Sequence, residues 1–277
     1  MSTVAIRNPF SAPLGMFGCV WNFRYLISLL TLRGIEVRFR GSLLGKLWAV
    51  LTPLFMLALY TFVFGVVFKS KWAGEPTGTL DVALLYFTGL IISDFFFECL
   101  TRATTLMVDH VIYIKKVVFP LEVLAWVSVG EGLFRVGISA IILFAFYIAI
   151  DGLPPPTAIF LPVVIAPLAL VAVGFIWYLS MVGVFVRDIR HLIGLIAPAV
   201  MFLSPIFYPL SAVPEPFRDF LYVNPLTLIA EQVRAVLFHG MMPNWGALAV
   251  YTAVAWLFAG SGYFWFMRAR MGIADVV

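Results

Sequence analysis

The chain has 277 residues, of which 63% are hydrophobic and only 12% charged, and its mean hydropathy is +1.04. A water-soluble domain carries about 25% charged residues, so the composition excludes a soluble core and leaves a polytopic membrane protein. The net charge of +4 does not point to nucleic acid, because the basic residues gather at the ends of apolar runs, where they set orientation in a bilayer.

Taken in chain order, the first twenty residues hold Pro9 and Pro13 and no continuous apolar core, unlike a cleaved leader. From about Trp21 to Lys46 apolar positions mix with Arg24, Arg33, Glu36, Arg38 and Arg40, and Leu26, Leu29, Leu30, Arg33 and Val37 keep helical spacing. That density of charge forbids a span. It predicts an amphipathic helix in the cytoplasmic interface, its Arg side chains reaching lipid phosphates; a polar loop is the alternative. Residues 1–46 therefore read as a cytoplasmic N-terminus with an interfacial helix.

Six spans are expected over residues 47–267, at about 47–68, 82–100, 121–150, 158–186, 192–210 and 246–267, and residues 268–277 form a cytoplasmic tail. Trp48 and Trp72 flank the first span as an aromatic belt would. Asp94, Glu98 and Arg102 follow one another at i, i+4 and i+8 on one face of the second. Carboxylates at that depth need a partner or water. Glu131 and Arg135, at i and i+4 in the third span, are expected to neutralise each other. The fifth span is broken by Pro198, Pro205 and Pro209. Of the 18 Lys and Arg residues, thirteen lie on the side of the two termini, which places both termini in the cytoplasm.

Several chemistries are absent. Gly41-Ser-Leu-Leu-Gly45-Lys46-Leu47 has three residues between its glycines instead of four, and Leu47 stands where a phosphate loop needs Ser or Thr. His110, His191 and His239 are isolated, so no metal site is expected. No Gly-x-Ser-x-Gly elbow occurs. No catalytic residue is assigned. Cys19 and Cys99, eighty positions apart, indicate no disulfide framework.

Ordered short motifs carry a resemblance. Arg38-Phe-Arg-Gly-Ser-Leu-Leu-Gly-Lys-Leu-Trp48 with Pro53, then Tyr113-Ile-Lys-Lys-Val-Val-Phe-Pro120-Leu-Glu122, Phe185-Val-Arg187-Asp188-Ile-Arg190, Ser204-Pro-Ile-Phe-Tyr-Pro209, Val213-Pro-Glu215 and Asn224-Pro225 succeed one another. Together with six spans, this order resembles the permeases of type-2 ABC exporters that move O-antigen, capsular polysaccharide or teichoic acid, from about Arg24 to Arg270. The resemblance implies an all-α fold with short re-entrant helices after the fifth span. It also implies a homodimer with two separate ATPase subunits, which would bind the ATP and magnesium; this chain would need no cofactor. The cytoplasmic coupling region would be residues 105–120, with Asp109, Tyr113, Lys115 and Lys116, joined by Arg187 and Asp188. The periplasmic gate would be residues 205–245. The cargo would be a lipid-linked polysaccharide, O-antigen foremost, crossing a bacterial inner membrane.

A sugar polymer needs a path that binds weakly everywhere, and aromatic rings stack on the apolar faces of sugars without demanding one sequence. Tyr60, Phe64, Phe95, Phe96, Phe202, Phe207 and Tyr208 are candidates, with Phe207 and Tyr208 inside the broken span foremost. Ordinary packing and lipid contact is the competing role for each. Arg33, Arg38 and Arg40 are candidates for the diphosphate of a lipid carrier, or for generic attraction to anionic lipid headgroups. Asp94, Glu98, Arg102, Glu131 and Arg135 could form an ion-pair network between the second and third spans, either fixing the packing or switching with the ATPase cycle. An exporter of a drug or small lipid, a secondary transporter, and a membrane enzyme acting on lipid-linked sugars remain open. A secondary transporter would show repeated halves, and none is evident here.

Overall fold

The computed structural model describes residues 12–67, 79–114 and 119–273. Lys69, Lys71, Lys115 and Lys116, two of them expected coupling residues, lie outside these. All regular structure among the described residues is helical.

Helix α1 (Ala12–Phe39) begins earlier than the composition predicted and carries non-helical dihedrals at Phe23. It is not amphipathic in the simple sense. Met16 and Cys19 are buried, while Phe17, Trp21, Tyr25, Leu29 and Leu32 form an exposed apolar row. Apolar side chains therefore occupy two faces, one set against α6 (Val123–Ile150) and α11 (Trp245–Ile273). The chain then turns through Gly41 and Gly45, both at positive φ. The Gly45 amide donates to Ser42 Oγ at 2.9 Å, so the turn that superficially resembles a phosphate loop is closed on itself.

Among the described residues, five helical stretches are long and apolar enough to cross a bilayer: Gly45–Val67, Leu80–Ala103, Val123–Ile150, Pro156–Phe185 and Trp245–Arg270. They match the expected spans within a few residues, except that the last helix runs on past 267. The first is α2 (Trp48–Tyr60), whose last turns, Thr61–Val67, widen to π geometry. The second is α3 (Thr79–Ala103), and two short helices, α4 (Leu106–Asp109) and α5 (Val111–Ile114), follow it. Helix α7 (Leu161–Phe185) has Pro162 at its start and Pro167 inside. At the expected fifth span, α8 (Ile189–Phe202) has 14 residues, ~21 Å of rise, short of a hydrocarbon core of ~30 Å. The chain beyond it is irregular, because Pro205 and Pro209 bring no backbone N–H and cannot extend the helix. Helices α9 (Glu215–Leu221) and α10 (Pro225–Leu237) come next.

The core lies where α7 and α11 cross. A Cβ on Gly262 would stand 2.8 Å from the carbonyl oxygen of Gly174, so only glycine allows this approach, as small residues do between membrane helices. Trp177 is fully buried there, edge-to-face with Trp126 and Tyr263. It donates to the Glu122 carbonyl at 3.3 Å. Glu122 in turn accepts from Arg270 at 2.9 Å, which ties the start of α6 to the end of α11. Cys19 and Cys99 are both free and buried.

Candidate functional site

A row of side chains at i+4 intervals winds gradually around α3 through Tyr86, Leu90, Asp94, Glu98 and Arg102. Helix α6 runs antiparallel beside it. Glu98 pairs with Arg135, and Arg102 with Glu131, as the opposed register of the two helices dictates. The expected Glu131–Arg135 neutralisation is therefore corrected: each charge points across to α3. The crossed pairs tie the two helices to each other, which i+4 pairs within each helix would not do. Arg38 at the end of α1 completes the set by pairing with the other Glu98 oxygen. Asp94 is the exception to the expected network. It makes no ion pair among the described residues, and it opens into a cavity.

That cavity measures about 580 Å³ and is bounded by Arg38 and Phe39, by Trp48, Thr52 and Tyr60 of α2, by Asp94, Phe95 and Glu98, and by Arg135 and Ser139. A second cavity, also about 580 Å³, lies on the far side of the Arg38–Glu98 pair. It is lined by Arg33, Arg38, Arg102, Asp109, His110, Tyr113 and Glu131. Arg38 and Glu98 border both, so their ion pair stands as the partition between them. The expected Arg33, Arg38 and Arg40 thus differ in place. Arg33 and Arg38 face the second cavity, while Arg40 is exposed in the turn after α1.

Beyond Tyr60, away from the charges, aromatic rings continue in contact. Tyr60 lies 6.2 Å from Phe64, Phe64 is stacked 5.5 Å from Phe207, and Phe207 is 5.5 Å from Phe202. Four of the seven expected path candidates are therefore neighbours, although they come from α2, its π turn, the end of α8 and the irregular chain after it. Tyr86 joins them, 4.3 Å from Phe64 and 6.2 Å from Phe207. It was not singled out from the sequence, yet extending the Asp94–Glu98–Arg102 row backwards by two steps reaches it. Tyr208 is half-buried beside Phe207. Phe96 is core instead, edge-on to Phe97 and Phe175, and Phe95 is buried against the position of Gly132.

The expected coupling residues sit at the charged end. Thr105 Oγ1 donates to Asp109 at 2.8 Å. Tyr113 is stacked between His110 at 5.6 Å and Phe119 at 4.4 Å. Arg187 and Asp188 are exposed in the turn between α7 and α8.

The irregular chain after α8 is pinned from α10. Asn224 caps α10 by accepting from the Leu226 amide at 3.0 Å, and its side chain also donates to the Val200 carbonyl and to Ser204 Oγ. Arg234, which the sequence did not single out, is 4% exposed and donates to the carbonyls of Pro205 and Ile206. Its signal in the sequence was its place in the buried row of α10, among Ala230, Val233 and Leu237. No group of three or more metal-ligating side chains occurs among the described residues.

Comparison with known proteins places this geometry. Residues 25–238 match the family model described as ABC-2 type transporter. The chain is 25% identical to the O-antigen export system permease protein RfbA of Myxococcus xanthus over 85% of its length and 89% of the relative's. It is 26% identical to the RfbA protein of Klebsiella pneumoniae over 86% of its length and 96% of the relative's. The polysialic acid transport protein KpsM of Escherichia coli is 24% identical over 84% of this chain and 90% of its own. Together the membrane helices, the ring contacts and a family match across most of the length converge: the chain belongs to the ABC-2 type transporter family.

Proposed function

We propose that this chain is the membrane-spanning permease of an ATP-driven exporter of lipid-linked polysaccharide, an O-antigen-like polymer foremost. The carrying observation is the run of rings from Tyr60 through Phe64, Tyr86 and Phe207 to Phe202, which begins at a cavity and ends in the broken segment. The exposed Phe202 and the half-buried Tyr60, Phe64 and Phe207 offer ring faces to successive sugars, with Tyr86 buried behind them as their backing. The names of the RfbA and KpsM relatives support the same cargo.

In this reading two copies of the chain act with two cytoplasmic ATPase subunits, which hold ATP and magnesium. Helix α8 and the chain after it supply the fifth of six spans, α9 and α10 are the re-entrant gate helices, and both termini are cytoplasmic in a bacterial inner membrane. ATP-driven movement enters through residues 105–120, with Arg187 and Asp188 beside them. Because Asp109 and Tyr113 line the same cavity as Arg38 and Glu98, that movement reaches the partition directly. Arg33, Arg38 and Arg40 attract the carrier diphosphate, and the Arg38–Glu98 pair opens to pass the chain onto the rings. Asp94, free of an ion pair, keeps the first cavity wet for sugar hydroxyls.

Chromosomal deletion tests the proposal, read by gels of surface polysaccharide and by analysis of lipid-linked glycan inside the cell. Loss of surface polymer with long lipid-linked chains accumulating inside is the expected result. Unchanged surface polymer in a strain without a second exporter would refute it, and short unpolymerised glycans would favour a membrane enzyme.

A further inference from the structure

The break after α8 leaves backbone carbonyls with no helical partner where Pro205 and Ile206 are buried in the protein, and such groups must find donors. The structure answers with a single buried guanidinium. Arg234 Nη1 donates to the Pro205 carbonyl at 2.6 Å and Nη2 to the Ile206 carbonyl at 3.0 Å, while Glu231 on the same helix lies 3.3 Å from Nη1. A planar fork suits two successive carbonyls as a single ammonium does not. Directly behind this contact is Gly89 of α3, where a Cβ would come within 2.9 Å of Ile206 Cγ2 and 3.3 Å of Arg234 Nη2. Ile206 is fully buried. The next residue is Phe207, whose ring meets Phe64 and Tyr86.

We infer that Arg234 is a positioning residue of the transport path. By gripping the carbonyls of Pro205 and Ile206 it fixes where Phe207 stands among the rings, so that a shift of α10 carries Phe207 with it. Arg234 never meets the cargo; it acts through Phe207. The role in transport rests on the polysaccharide-path reading, whereas the grip itself does not.

The test uses the full-length chain in membranes, with Cys19 and Cys99 replaced by Ala and with Phe64→Cys and Phe207→Cys introduced. Mild oxidation then reports how well the 207 position is held against the 64 position. We expect the cross-link to form at least fivefold more slowly in Arg234→Gln, and at an intermediate rate in Arg234→Lys, which keeps the charge and one donor. A parental rate in Arg234→Lys, or in Arg234→Gln with an unchanged melting temperature, overturns the grip. Should Arg234→Gln not fold, the Arg234→Lys rate alone decides. A parental chain with Phe207→Ala that exports normally would remove the path reading, and the cross-linking result would still judge the grip.

Discussion

At one end of α3, Glu98 and Arg102 stand among guanidinium and carboxylate groups from α1 and α6; at the other, Tyr86 stands among the rings of Phe64 and Phe207. The charged end is directional and discrete. Glu98 serves two arginines at once, so a small displacement of α1 must break one bond before another forms. The aromatic end is permissive, because a stacked ring tolerates sliding and tilting. In the proposed exporter this division would switch the step that commits the cargo and leave the wall it slides along unswitched.

The largest expected effect comes from the charged end. Glu98→Ala leaves Arg38 and Arg135 facing each other without their shared carboxylate, which should cost about 3 kcal/mol, the low end for breaking a buried pair because both arginines are partly exposed. Thermal unfolding in detergent measures it, and a loss below about 1 kcal/mol would mean the network is slack. Next is Gly34→Ala, where the added Cβ would fall 2.0 Å from Glu131 Oε1. It should push α1 off α6 and loosen the Arg102–Glu131 pair, costing about 2 kcal/mol. Asn224→Ala, at the aromatic end, removes the cap of α10 and its bonds to Val200 and Ser204, with an expected loss of about 1 kcal/mol. The smallest effect is chemical. Burial, reinforced by the charge of Glu122, pushes the Cys19 thiol up to about 12, so Cys19 stays protonated at pH 8 and should resist maleimide until the protein is denatured. Rapid labelling of the native protein would show α1 detached from α11.

Much of this was legible in the sequence. Five spans followed from runs of apolar residues, since the bilayer imposes their length. The row Asp94–Glu98–Arg102 followed from helical periodicity. Its partners did not, because local spacing favoured Glu131 with Arg135, whereas the antiparallel register of α3 and α6 joins Glu98 to Arg135 and Arg102 to Glu131. Arg38 was read as a lipid-facing cation, since nothing local reveals that the end of α1 meets α3. The aromatic cluster was named almost whole, but as scattered candidates; only the fold brings Phe64 of the π turn to Phe207. Arg234 was not singled out, because what matters is its burial beside a chain break that no periodicity describes.

The most direct measurement is export by a deletion strain carrying Phe202→Leu with Phe207→Leu, the two neighbouring rings of the broken segment, read together with the melting temperature of the purified double variant. Leucine keeps apolar bulk but offers no flat face. If the rings are the wall on which sugars slide, surface polymer should fall about tenfold or more while the melting temperature moves by only a few degrees. Full export at unchanged stability, or export and stability falling together, would contradict that role and return these rings to ordinary packing.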